Sequence, residues 1–410
     1  MDHKKRGRPS DLVSDEDEEG SDDSSTSEER LLRKATWSKS YKKPILLMDS
    51  VHHLIRLPAS VYSWVIDQPE IQSRGFVSQL STASFVYRGA THSRLSHMIG
   101  TADYALQVCT QLGIPEEDTL CIVLAAAAHD VGHGPFSHTF ECVVDQHHED
   151  RTKEIIQRWA ARMPTTFAQY AERMIMLIDG ESYDPSRPYL GQIVANKVHG
   201  LDVDKLDYLE RDSFYTGKRV GLNVERLIAC MVVNPEGNLA FLPKACAEIE
   251  EVFRARLIMH ESVYRHHTTH AANEMMITAM KRLVGMGVEL TGEMVDGEVI
   301  GLLHKHSIPE WVALTQRQLW STKTIAREVV DASTSGIGCK KKTFTSVPPL
   351  GSKLCTVLLS DGWVGPVPLY DPETGFVGNF TRPAYMKPPI QETRLLTIPT
   401  PIVNGTGCAM

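Results

Sequence analysis

The run His129-Asp130-Val131-Gly132-His133-Gly134-Pro135-Phe136-Ser137-His138 brings three imidazoles and a carboxylate close together, immediately after the apolar octet CIVLAAAA at residues 121–128. The octet carries no polar side chain except a thiol, so it reads as a helix buried on all sides. An ionisable His-Asp pair at the end of such a helix is costly to bury, and coordination of one divalent cation by both side chains is the usual compensation. Gly132, Gly134 and Pro135 break the helix and leave His133 and His138 on a turn beside the pair.

A His next to an Asp is more often a hydrogen-bonded core pair than a ligand set, so the reading needs further ligands. His97 in HSRLSH (92–97) and Asp204 in LDVDKLDY (201–208) supply them. Two imidazoles and two carboxylates suit Fe, Mn, Zn or Ni alike. A cation held this way polarises a phosphoryl oxygen and acidifies water, which is the chemistry of a metal-dependent phosphohydrolase.

The elements that must position these groups are mainly helical. Apolar Val252, Ala255, Met259 and Val263 recur at helical spacing within residues 246–290, which predicts one long helix or two in succession. On that helix Arg256, His260 and Tyr264 recur every four residues and present a cation, an imidazole and a phenol along one side. A second helix is predicted over residues 165–179, its Phe167, Tyr170, Met174 and Leu177 serving the core. After Trp311 glycine and proline accumulate, and CTVLLSD and GWVGPVPLYD read as short strands of a small mixed lobe. The expected division is a tail at 1–40, a phosphohydrolase domain at 41–310 and a C-terminal lobe at 311–410.

Composition agrees with an enzyme kept inside the cell, nuclear or cytoplasmic. The 410 residues are 42% hydrophobic, no apolar stretch reaches the length of a spanning helix, and the eight cysteines show no C-x-x-C pairing. The net charge of −8 sits mostly in the first thirty residues, which hold five Lys or Arg and eleven Asp or Glu. Their basic half, Lys4-Lys5-Arg6-Gly7-Arg8-Pro9, reads first as a solvated import-like signal and second as a single short minor-groove hook for DNA. The acidic, serine-rich half cannot bury enough surface to fold.

Taken together, GATHSRLSHMIG (89–100), HDVGHGPFSH, HGLDVDKLDYLERD (199–212), VIDQPEIQSRGFVSQL (65–80) and RARLIMHESVYRHH (254–267) resemble the HD superfamily, and within it the SAM- and HD-domain deoxynucleoside triphosphate triphosphohydrolases. No segment ahead of this region reads as a SAM module. The resemblance implies an HD-domain helical fold and hydrolysis of a dNTP to deoxynucleoside and inorganic triphosphate. It also implies Mg²⁺ on the substrate phosphates and a homo-oligomer, dimer or tetramer.

Residue by residue, it implies His97, His129, Asp130 and Asp204 as metal ligands, and His138 with Glu141, where the family has Asp, as the catalytic pair. His148 matches a further active-site imidazole. Arg94, Lys205, Arg256 and His133 match phosphate contacts, with His260 on the same stripe as Arg256. Gln79, Leu80, Tyr208 and Asp212 match readers of the 3′-hydroxyl, and Tyr264 matches the ring packed where a 2′-hydroxyl would lie. Arg265 replaces the family's Gln, which bears on base contacts. A guanine-nucleotide activator site keeps Asp67 and Gln72, yet Gly75 and Ile45 stand where the family has Arg and Lys, so activation is expected to be weak. Two other readings compete: an HD phosphohydrolase of another nucleotide, and a nuclear nucleic-acid-binding scaffold with a nucleotide pocket.

Overall fold

The computed structural model describes residues 44–329, 352–359, 365–381, 383 and 390–397. The N-terminal tail at 1–40, with its import-like and hook-like sequences, lies outside the described residues, as does most of the Pro-rich terminus. The described chain is mainly helical, as its periodicity predicts.

Two helices form the centre. In α1 (Arg94–Leu112) the Ser93 hydroxyl accepts a hydrogen bond from the Ser96 N–H at 3.3 Å, and Gly113 ends the helix at φ 65°. Helix α2 (Glu116–Ala128) opens with Glu116, Glu117 and Asp118, whose charges complement its positive end, and is buried from Asp118 to Ala128. Five further helices complete the frame of the site. These are the single turn α3 (His138–Glu141), α4 (His148–Arg162), α5 (Thr165–Ile178), α6 (Val203–Thr216) and α7 (Cys246–Met259). Helix α1 packs on α2 and α6, and α2 packs on α5, where Phe167, Met174 and Leu177 are buried.

After α7 a π-turn, His260–Tyr264, leads into α8 (His267–Gly285), so the expected long helix is two helices in succession. Helices α9 (Asp296–Lys305) and α10 (Pro309–Thr315) follow. A second apolar cluster joins Met275, Met280 and Leu283 of α8 to Val299 and Leu303 of α9 and Trp311 of α10. It also takes in Phe136 and Phe140, beside the turn that carries His133 and His138.

The strands are few. β1 (Ile45–Asp49) and β2 (His53–Leu57) make an antiparallel hairpin with Ile45 opposite Leu57. β3 (Met231–Val233) and β4 (Leu239–Phe241) pair with each other. Three strands then come from the C-terminal third: β5 (Ser321–Val329), β6 (Ser352–Leu359) and β7 (Val367–Asp371). β8 (Phe376–Phe380) and β9 (Ile390–Thr397) complete them. β7 lies parallel to β4 and antiparallel to β8, and β9 runs antiparallel between β5 and β6. No helix among the described residues is long and apolar enough to cross a membrane.

Candidate active site

Four side chains from three helices converge at the end of α2. His97 of α1, His129 and Asp130 at the C-terminus of α2, and Asp204 in the first turn of α6 face one point. Asp204 Oδ1 lies 3.0 Å from His97 Nε2 and 3.3 Å from His129 Nε2, and Asp130 Oδ2 lies 3.6 Å from each of these nitrogens. Metal–ligand bonds of about 2.0–2.2 Å put neighbouring donors roughly 3 Å apart, so the spacing fits a divalent cation. The tautomers fit as well. His129 Nδ1 donates to Ala126 O at 2.8 Å and His97 Nδ1 to Asp207 Oδ2 at 2.6 Å, which leaves both Nε2 lone pairs for a metal. His129 Nε2 is buried without a hydrogen-bond partner. Although burial opposes it, pairing with His129 and His97 holds the Asp204 carboxyl far below the usual carboxylate range.

A second cluster lies across Asp130. The His133 Nε2 atom is 3.5 Å from Asp130 Oδ1, so one carboxylate faces both groups. The His133 ring stacks on His148 with centroids 3.9 Å apart and meets His138 edge-on at 4.7 Å. Glu141 Oε1 is 2.6 Å from His148 Nδ1 and 3.5 Å from Nδ1 of both His133 and His138. The closest partner of Glu141 is therefore His148 rather than His138, the pairing expected from sequence. His138 stands open to solvent, 68% exposed. Burial, aided by the nearby Arg94 and His148 charges, pushes the His133 imidazole well below its ordinary value, and both its ring nitrogens lack hydrogen-bond partners.

The turn that carries these imidazoles is held in an unfavourable backbone shape. Phe136 and Ser137 adopt φ of 58° and 54°, a region that costs non-glycine residues energy and persists only when neighbours enforce it. Asp296 Oδ1 accepts from the Phe136 N–H at 2.7 Å, the Ser137 hydroxyl donates to Ser78 O at 2.6 Å, and Arg94 Nε donates to Ser137 Oγ at 2.9 Å. Gly132 is required for a different reason: a Cβ there would lie 2.0 Å from His148 O, so the bare backbone lets α4 bring His148 against the turn.

Most of the residues that the resemblance matches to nucleotide contacts gather on α6, α7 and the π-turn. Tyr264 donates to Asp212 Oδ2 at 2.7 Å, and Arg256 Nε donates to the Tyr208 hydroxyl at 3.0 Å. His260 packs edge-on to Tyr264 with centroids 5.1 Å apart. Lys205 Nζ lies 3.4 Å from Asp202, and this acidic neighbour raises its pKa although burial opposes the rise. Gln79 is buried with its Oε1 unpartnered, while Leu80 packs against the main core. Arg94, expected at the phosphates, is spent on Asp130, Ser137 and the Gln79 carbonyl. Asp67 and Gln72 lie apart from these contacts on the exposed surface, where Gln72 Nε2 donates to Ile66 O at 2.8 Å.

Four residues behind the candidate metal ligands escaped the sequence reading. Asp207, fully buried, accepts from His97 and from Arg211, and also from His52 Nε2 at 2.7 Å; His52 Nδ1 donates to Asp103 Oδ2 at 2.9 Å. Gly100 makes room for this network, since a Cβ there would sit 1.9 Å from Asp207 Oδ1. Against the opposing effect of burial, Asp103 and Asp207 push the His52 imidazole up to about 9. The folded value exceeds the ordinary 6.5, so the stabilisation is full below pH 6.5 and disappears as pH rises through 9. The stability gap between the wild type and His52→Gln, measured by urea melts, is therefore expected to shrink between pH 6.5 and 9.5 by up to about 3 kcal/mol. A gap that stays constant over that range would show that His52 carries no extra charge in the fold.

Residues 94–212 match the model of the HD domain, and residues 222–341 match that of the HD-associated region. A deoxynucleoside triphosphate triphosphohydrolase SAMHD1 homolog of Dictyostelium discoideum is 32% identical over 244 residues, 55% of this chain and 47% of that protein. An HD domain-containing protein of Acanthamoeba polyphaga mimivirus is 30% identical over 307 residues, 68% of this chain and 66% of that protein. The chain thus spans about half the length of the first relative and about two thirds of the second. A phosphohydrolase structure from Bacteroides thetaiotaomicron superposes over 87% of this chain and 100% of its own, with a TM-score of 0.69 at 21% identity, and shares the fold. The His-Asp pair that ends α2 therefore sits inside a matched HD domain followed by its associated region, and the chain belongs to the HD-domain family.

Proposed function

We propose that this protein hydrolyses a deoxynucleoside triphosphate to the deoxynucleoside and inorganic triphosphate. One observation carries the reading: the Asp130 carboxylate faces the His97–His129–Asp204 set through one oxygen and the His133 imidazole through the other. A metal-ligand set and a proton-transfer set thereby share one wall. The Dictyostelium relative, a deoxynucleoside triphosphate triphosphohydrolase SAMHD1 homolog, supports the same reaction class.

His97, His129, Asp130 and Asp204 would hold the cation, which supplies Lewis acidity toward a phosphoryl oxygen and acidifies water. The rest is done by side chains. Lys205 and Arg256 stand where they can neutralise the polyphosphate, and a guanidinium fork suits that task. His133, with two unpartnered buried nitrogens, is placed to donate to the α-phosphate. The 5′ oxygen leaves with a proton from the imidazoles gathered around Glu141, of which the exposed His138 is the one able to reach a ligand from solvent. Asp212 and Tyr208 read the 3′-hydroxyl. Tyr264, tied to Asp212, fills the space beside C2′ and selects deoxyribose by exclusion.

The test is to incubate the protein with each dNTP and NTP in Mn²⁺ or Mg²⁺ and to identify products by mass. Deoxynucleoside and intact triphosphate are expected, with ribonucleotides turned over at least tenfold more slowly, since a steric clash of about 1.4 kcal/mol is enough for that ratio. Stepwise release of orthophosphate or pyrophosphate would sink the assignment.

A further inference from the structure

His52 lies outside the proposed ligand set, yet both its ring nitrogens are committed. Its side chain is 1% exposed and bridges Asp103 and Asp207, whose side chains are 12% and 0% exposed. Ionised carboxylates only accept hydrogen bonds, so an imidazole held between two of them must carry a proton on each nitrogen. The Tyr104 ring, 4.1 Å away, covers one face.

The connectivity closes on itself. His97 and Asp103 both belong to α1, Asp207 belongs to α6, and His52 comes from the turn between β1 and β2. His97 donates to Asp207, His52 donates to Asp207, and His52 donates to Asp103. The result is a ring that begins and ends on α1. Arg211 does not replace His52 in it, because Arg211 sits one turn along the same helix as Asp207 and its side-chain hydrogen bonds go to Asp207 and Asp49. Asp49 fixes the turn that delivers His52, with Oδ1 accepting from the Val51 and His52 N–H groups at 2.8 and 2.9 Å and Oδ2 accepting from Arg211 at 2.9 Å.

We propose that His52 is a positioning residue of the metal centre: by holding the Asp207 carboxylate between α1 and α6, it aims the Nε2 lone pair of His97 at the cation. The inference rests on the reading of His97, His129, Asp130 and Asp204 as metal ligands. Without His52, Asp207 turns toward Arg211, and His97 loses the acceptor that fixes its ring plane and tautomer. Partners of this kind are worth about 10–100-fold in metal affinity.

The experiment compares wild type, His52→Gln, His52→Ala, Asp103→Asn and a His97→Ala control. Mn²⁺ and Zn²⁺ dissociation constants come from competition with a chelating dye, and dNTP hydrolysis is followed at saturating metal. His52→Gln is expected to weaken metal binding about 10–100-fold and to lower kcat while KM stays within about threefold, since the ring of His52 bonds to Asp103 and Asp207. Free imidazole is expected to restore part of the activity of His52→Ala. Asp103→Asn keeps the bond to Asp207 and should show a smaller loss in the same direction. The ¹⁵N spectrum of the wild type supplies a readout that survives any folding failure of the variants, with both ring nitrogens of His52 protonated at pH 7.5. A folded His52→Gln with metal affinity and kcat within twofold of wild type, beside a His97→Ala control that loses metal, overturns the positioning role alone. A His52 ring protonated on one nitrogen also overturns it. Failure of the wild type to bind metal overturns the ligand reading together with the inference built on it.

Discussion

Asp204→Ala is expected to leave a folded protein that has lost stoichiometric metal and at least about 10³-fold of its hydrolytic rate, since Lewis-acid stabilisation of this kind is worth several kcal/mol. The size follows from position. Asp204 Oδ1 is the oxygen closest to both His97 Nε2 and His129 Nε2, so its removal takes away the anionic edge between the two imidazoles. It also frees two histidines whose pKa values are raised, against burial, in large part by this carboxylate; that of His97 lies at about 10. At neutral pH those rings then hold their protons less firmly, but Asp130 alone is left as an anionic ligand to hold the cation against competing chelators. Metal analysis beside kcat decides the matter. Retention of full metal with more than a few per cent of activity would remove Asp204 from the ligand set.

The second large effect separates proton transfer from metal binding. Glu141→Gln is expected to lower kcat by about 10²–10⁴ while metal content stays at wild-type level. Glu141 is the carboxylate on which three imidazole Nδ1 atoms converge, at 2.6 Å from His148 and 3.5 Å from His133 and His138. Burial opposes its ionisation, but the hydrogen bonds to His138 and His148 prevail and hold the carboxyl far below the usual range. It is an anion throughout the working pH range; burial keeps the His138 imidazole below its ordinary value, and the Glu141 carboxylate opposes that by favouring the protonated ring. Glutamine retains the shape and loses the charge. The alkaline limb of the pH–rate profile, where the imidazole acid loses its proton, should shift to lower pH with the drop in kcat; a profile and kcat within threefold of wild type would show that the leaving group takes its proton elsewhere.

The legibility of the site in the sequence followed how local each signal was. His129 and Asp130 stood out because eight apolar residues precede them, and the buried helix α2 bears out that logic. The stripe Arg256, His260, Tyr264 was visible because helical spacing survives the π-turn at His260–Tyr264 closely enough to keep Arg256 beside Tyr208 and Tyr264 beside Asp212. The helix over Thr165–Ile178 was equally readable from its apolar period. His52 left no such trace. Its partner Asp207 is 155 residues away, and nothing in MDSVHHLIRL shows that one histidine will be buried between two carboxylates. The same holds for the sheets: β3 and β4, near residue 240, take β7 as their neighbour from near residue 370, a pairing with no local signature. The pairing of Glu141 with His148 rather than His138 depends on how α4 approaches Gly132, which is a property of packing.

The ring of contacts around Asp207 also constrains the order in which the chain can be made. Asp49 and Arg211 are 162 positions apart and His97 and Asp207 are 110 apart, so the early half of the protein leaves the ribosome with its acids and histidines unmatched. Burying them at that stage would strand charges in a dry interior, at a cost of several kcal/mol each. The hairpin, α1 and α2 therefore have reason to stay loosely associated until residue 211 has emerged. Closure then comes late and all at once, joining both ends of the domain in a single step. A nascent chain halted near residue 190 should accordingly be sensitive to protease along α1, and one released past residue 220 should not.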